Sequence, residues 1–156
     1  FDAGYENGNI EKILDALNKH NAKGTFFMCQ FVSELMIKQK VKGHILNVTS
    51  SSALRPAWTP YQMSKWAIRG FTIGLADTLI PYGIVVNAIA PGPVATPMLH
   101  RDDSDLYMEN HPCKRMASAS EIANLAVVMV SDMGDLIVGD TFYITGGSGL
   151  ISNRDI

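Results

Sequence analysis

Residues 84 to 90, IVVNAIA, form an apolar, largely β-branched run that carries no charge, and Pro91, Gly92 and Pro93 end it abruptly. A strand with one wet face alternates apolar and polar residues. A nearly continuous apolar run needs cover on both faces, which is the condition of an inner strand in a parallel sheet. Two other segments suit places beside it. GHILNVTS (43 to 50) opens on Gly43 and runs into apolar, β-branched residues, and DTFYIT (140 to 145) is closed by Gly146 and Gly147. Helical periodicity fills the intervals. From Tyr61 to Ile80 the chain is amphipathic, has Pro60 at its mouth and stops at Pro81, Tyr82 and Gly83. Ser118 with Glu121 three residues on is a capping-box signature and predicts a helix within 118 to 131. Residues 10 to 39 carry apolar residues at mostly helical spacing, with Gly24 as a weak point, and predict one long helix or two abutting ones.

Strand, helix, strand, helix, strand with connections of this length predicts an α/β fold, a parallel sheet with flanking helices. Three strands are few for that architecture, and residues 44 to 49 are too apolar for an open edge. A further strand is therefore expected beside them. The chain of 156 residues is 47% hydrophobic and 18% charged and shows no linker, which suits a single globular domain. A formal net charge of -2 offers no positive excess for nucleic acid or an anionic membrane. No apolar run reaches the ~18 residues that span a bilayer, and FDAGYENGN at the start has neither the basic nor the apolar region of a signal peptide. Two cysteines, Cys29 and Cys113, argue against a disulfide framework and for a reducing compartment, with cytoplasm as the expected location. The four histidines fall at no metal-ligand spacing, and no metal site is expected.

Tyr61 and Lys65 stand at i and i+4 on the second helical segment, so the ammonium can lie close to the phenol oxygen. A phenol near its reference pKa of ~10 is a poor acid or base at neutral pH, and a neighbouring positive charge favours the phenolate. The same pattern is common on ordinary solvated helix faces, so the surroundings decide. Upstream, NVTSSS delivers the hydroxyl of Ser50 to the C-terminal end of a strand, where ligands of open α/β sheets bind. Downstream, the next strand ends at that edge in NAIAPGPVATPM.

Taken together, NAKG, NVTS, YQMSK, VNAIAPG, TPM and a last strand before GG, in that order over residues 21 to 149, strongly resemble the short-chain dehydrogenase/reductase family. The resemblance implies a Rossmann-like fold, of which this chain would be the C-terminal part, with the first four strands absent. It also implies an NAD(P)-dependent oxidoreductase acting on a small carbonyl or alcohol substrate. Tyr61 would be the general acid/base, and Lys65 would lower its pKa and hold the nicotinamide ribose. Ser50 would hydrogen-bond the reacting oxygen. Ser51 and Ser52 compete for that role, and Ser50 is preferred because it directly follows NVT. Asn21 would hold a water in a proton relay to the lysine. Val94 and Thr96 would contact the nicotinamide amide, with Pro91 and Gly92 shaping the strand end and allowing close approach. Residues 97 to 117 would be the variable substrate lid, and the loop 51 to 58, with Leu54 and Trp58, the other wall. The helices 21 to 39 and 61 to 80 would pair in homodimers or homotetramers.

One departure is large. The family's Gly-rich turn after the first strand, T-G-x-x-x-G-x-G, and the acidic or basic residue after the second strand that chooses between NAD and NADP have no counterpart before Asn21. The 156 residues are therefore expected to be part of a longer polypeptide. Residues 1 to 27 also resemble the opening of polysaccharide deacetylases, with Asp2 as the base but Ala3 where a metal-binding Asp stands. That family's His-x-x-x-His pair is missing. A third possibility is a non-catalytic domain derived from a truncated dehydrogenase.

Overall fold

The computed structural model describes residues 22–150. Within them, α1 (Ala22–Gln39) precedes β1 (Gly43–Val48), α2 (Pro60–Leu79) precedes β2 (Ile84–Pro91), and α3 (Ala119–Met129) precedes β3 (Thr141–Ile144). The three strands form one parallel sheet in the order β1-β2-β3. Gly43 pairs with Ile84 and Val48 with Ile89, while Ala88 pairs with Thr141 and Pro91 with Ile144. All three strands thus end at the same side of the sheet.

The expected inner strand is the centre of the described sheet. Ile84 through Ala90 are all buried, and each Val or Ile so buried stabilises the fold by about 1.5–3 kcal/mol. Two asparagines are buried within this apolar layer with partners, as such groups must be. Asn87 donates to the Ile137 carbonyl and accepts from the Asp140 amide at 3.0 Å. Asn47 donates to Thr72 Oγ1 at 3.0 Å and accepts from the Cys29 thiol at 3.2 Å, joining β1 to both α2 and α1.

α2 begins at Pro60, one residue earlier than the periodicity predicts, because Thr59 caps it. The Thr59 hydroxyl accepts the Gln62 amide, and the Gln62 side chain accepts the Thr59 amide at 3.1 Å. Its buried stripe is Ser64, Ile68, Thr72, Ala76 and Leu79, spaced three and four apart so that one face of the helix meets the sheet. A short 3-10 turn, Ile80–Tyr82, ends on Gly83 at φ 72°. That left-handed position favours glycine and turns the chain into β2. α3 starts where Ser118 and Glu121 predict, with both capping-box bonds formed. Of residues 10 to 39, the described part from Ala22 is one uninterrupted helix through Gly24.

Among the described residues β1 is an edge strand, with Val48 57% exposed, although its sequence reads as one that needs a neighbour. No described helix is long and apolar enough to cross a membrane. Asp2, Ala3 and Asn21 lie outside the described residues.

Candidate functional site

The ends of β1 and β2 and the first two turns of α2 converge at one edge of the sheet. The Thr49 amide continues the ladder to the Ile89 carbonyl at 2.9 Å, and the Thr49 hydroxyl donates to the Lys65 carbonyl at 2.7 Å. That bond ties the end of β1 to the second turn of α2. Ser50 follows directly. It adopts extended backbone and caps the 3-10 turn Ser51–Leu54, its Oγ accepting the Ser52 amide at 3.1 Å. Because Oγ is used there as an acceptor, its O–H proton is left to donate outward. Ser51 and Ser52 are half-buried within the turn itself.

Lys65 is half-buried. Its Nζ stands 5.6 Å from the centroid of the Tyr61 ring and donates to the Val48 carbonyl at 3.4 Å. Burial pushes its ammonium below the usual lysine range. Tyr61 is 40% exposed, so the pair combines a half-buried cation with a partly exposed ring. Lys65 also forms part of the wall of a cavity of about 520 Å³ between α1, β1 and α2, together with Gly24, Met28, Cys29, Asn47 and Val48. The Cys29 thiol is pushed above its ordinary value by burial, which keeps it protonated and a donor to Asn47.

Pro91 ends β2, and Gly92, Val94 and Thr96 follow it, at the same edge as Ser50. The Gly92 amide donates to the Ile144 carbonyl at 2.8 Å, and a Cβ on Gly92 would stand 2.9 Å from Thr145 Cα. Glycine there lets the ends of β2 and β3 pass each other. Val94 bridges to Ala117, and the Thr96 hydroxyl donates to the Val94 carbonyl at 3.4 Å. Residues 97 to 117 are a compact excursion: Tyr107 bridges to Arg115, Met116 and His111 are buried, and Met98, Leu99 and Tyr107 are exposed.

The structure thus sets Lys65 beside Tyr61 and at the end of β1 that leads into Ser50, and sets Pro91, Gly92, Val94 and Thr96 at the neighbouring strand end. Sequence reasoning missed the groups that hold the Ser50 turn from α2, which are Trp66 and Arg69. Their i, i+3 spacing was a readable signal, but nothing in the sequence says which carbonyls they reach. Among the described residues no three His, Cys, Asp or Glu side chains gather as a metal site would require.

A family model described as enoyl-(acyl carrier protein) reductase matches residues 4–149, a span that includes most of the deacetylase-like opening. An uncharacterized oxidoreductase, YohF of Escherichia coli K12, is 35% identical over 129 residues, which are 80% of this chain and 51% of that protein. A 4-hydroxyisoleucine dehydrogenase mutant complexed with NADH and succinate is 26% identical, with a TM-score of 0.74 over 83% of this chain and 56% of its own. A gluconate 5-dehydrogenase from Burkholderia cenocepacia J2315, in complex with NADP and tartrate, is 28% identical, with a TM-score of 0.69 over 80% of this chain and 51% of its own. The chain spans about half the length of the curated relative it matches.

Proposed function

The chain belongs to the short-chain dehydrogenase/reductase family, and from that premise we propose that it is the C-terminal, catalytic part of an NAD(P)-dependent oxidoreductase acting on a small carbonyl or alcohol. The observation that carries the proposal is the placing of Lys65: its ammonium is held between the Val48 carbonyl and the Tyr61 ring, at the strand end that carries Ser50.

The residues present suit the nicotinamide half of such a cofactor. The Lys65 ammonium spends one donor on a long 3.4 Å bond, and a lysine has three, so it retains donors for ribose hydroxyls. The segment Pro91, Gly92, Val94 and Thr96 offers backbone and a hydroxyl to a carboxamide at the same edge. When bound, the nicotinamide supplies or accepts the hydride. Tyr61 delivers a proton to the substrate oxygen in carbonyl reduction and takes it back in alcohol oxidation. The Ser50 hydroxyl donates to that oxygen and fixes its position. Asn21 joins a proton relay to Lys65, which replenishes the phenol. The exposed Met98, Leu99 and Tyr107 of the 97 to 117 excursion, with Trp58 of the loop after β1, cover the substrate.

Relatives in complex with NADH and with NADP support a nicotinamide cofactor and leave both forms as candidates. The test is titration of the intact protein with NADH and NADPH, followed by fluorescence, for the wild type and Lys65→Ala. Saturable binding of at least one coenzyme, weakened by the substitution, is expected. No binding of either would overturn the reading.

A further inference from the structure

We infer that Trp66 and Arg69 are positioning residues that hold the turn after Ser50 and so aim the Ser50 hydroxyl. The inference rests on the proposed role of Ser50. Both side chains leave the same face of α2 in the turn that follows Lys65. Trp66 Nε1 donates to the Arg55 carbonyl at 2.9 Å, and Arg69 donates to the Ala53 carbonyl at 3.1 Å. Two carbonyls of the segment that leaves Ser50 are therefore fixed from one rigid helix.

Arg69 is itself held. Its guanidinium stands 5.0 Å from the Trp66 ring centroid and 5.9 Å from that of Tyr143 on β3, distances at which a cation is drawn to an aromatic face. The turn holds Ser50 in its own right. The Ala53 amide donates to the Ser50 carbonyl at 2.9 Å, and the Ser52 amide donates to Ser50 Oγ at 3.1 Å. A shift of the Ala53 and Arg55 carbonyls carries the Ser52 amide with it, and that amide sets where Ser50 Oγ points. At the far end, Arg55 donates to Ser148 Oγ at 2.8 Å, which ties the loop to the segment after β3. The helix that carries Tyr61 and Lys65 thus also helps to fix the third group, together with β1, which leads into Ser50, and the segment after β3. A displacement of about 1 Å in a reacting group can cost a hundredfold in rate, so the loss of one such bond should be visible in turnover.

Trp66→Phe keeps an aromatic ring beside Arg69 and removes only the indole N–H. In the intact protein it should lower kcat roughly tenfold and leave the KM for coenzyme unchanged. In a Ser50→Ala background, where there is no hydroxyl left to aim, the same substitution should have no effect on kcat. Amide exchange at Ser52 and Ala53 should quicken in Trp66→Phe while that of β2 stays as in the wild type. If Ser50→Ala lowers kcat but Trp66→Phe leaves it intact, or lowers it equally in both backgrounds, the positioning role is wrong. If Ser50→Ala itself leaves kcat intact, the proposed role of Ser50 falls first, and the positioning role with it.

Discussion

Lys65 is a cation partly withdrawn from water, and burial holds its ammonium below the usual lysine range. A lysine whose folded value lies below its unfolded value of 10.5 binds fewer protons folded than unfolded across the interval between them. Its contribution to stability therefore rises with pH through that interval and levels off above it. Lys65→Met should abolish this component. Urea melts between neutral pH and about 10.5 should show the wild type gaining stability relative to the variant as pH rises, and parallel curves would contradict the burial. The pairing of Tyr61 with Lys65 was legible from spacing alone, because four residues on a helix fix which side chains share a face. The bonds from Thr49 to Lys65 and from Trp66 to Arg55 were not legible, since they join residues whose proximity only the packing of β1 and α2 creates.

α3 shows how far local rules reach. Ser118 and Glu121 announce the helix start in the sequence, and both reciprocal bonds form, with Arg115 adding a two-point contact to Glu121 at 2.6 and 2.8 Å. Those partners hold the Glu121 carboxyl down at about 2. A carboxylate depressed in the folded state stabilises above its unfolded value of 4.5, and the benefit is lost as pH falls toward about 2. Glu121→Gln should lower Tm at neutral pH and lose that acid limb, while Ser118→Ala should cost about 1 kcal/mol in denaturant melts. The same reciprocal pattern forms at Thr59 and Gln62, where Pro60 is the more conspicuous start signal in the sequence. Packing of α1 is the opposite case. Its helical period was legible, but Phe27, Met28 and Phe31 stay exposed in the described chain, as do Met63 and Ile73 on α2. Such a patch on two neighbouring helices suits a protein surface, and we propose that it pairs with a second copy. Light scattering of the intact protein at micromolar concentration should give a dimer or tetramer, and Phe31→Glu should lower that mass. A monomeric wild type would contradict the pairing.

At the scale of the whole molecule, the chain spans about half the length of the curated relatives it matches, and the sheet of the described residues has three strands. β1 stands at its edge with an apolar strand that is partly exposed and flanked by a cavity, and unpaired apolar edges invite association. The sequence reads β1 as a strand that needs a neighbour, and among the described residues it stands at an edge. The substrate was not legible, because the exposed apolar residues of 97 to 117 give no polar pattern to read. Residues 1 to 156 expressed alone should therefore associate and bind neither NADH nor NADPH saturably. A monodisperse 17.0 kDa protein that binds coenzyme would contradict the proposed division of labour. The most direct test of the proposed chemistry is coenzyme-dependent turnover of a panel of small carbonyls and alcohols by the intact protein, wild type against Tyr61→Phe. The expected result is wild-type turnover of at least one substrate, with a loss on the order of 10²–10⁴ in kcat for Tyr61→Phe at nearly unchanged coenzyme affinity. Equal turnover by the two proteins would show that the proton comes from elsewhere and that Tyr61 and Lys65 are an ordinary pair on a helix.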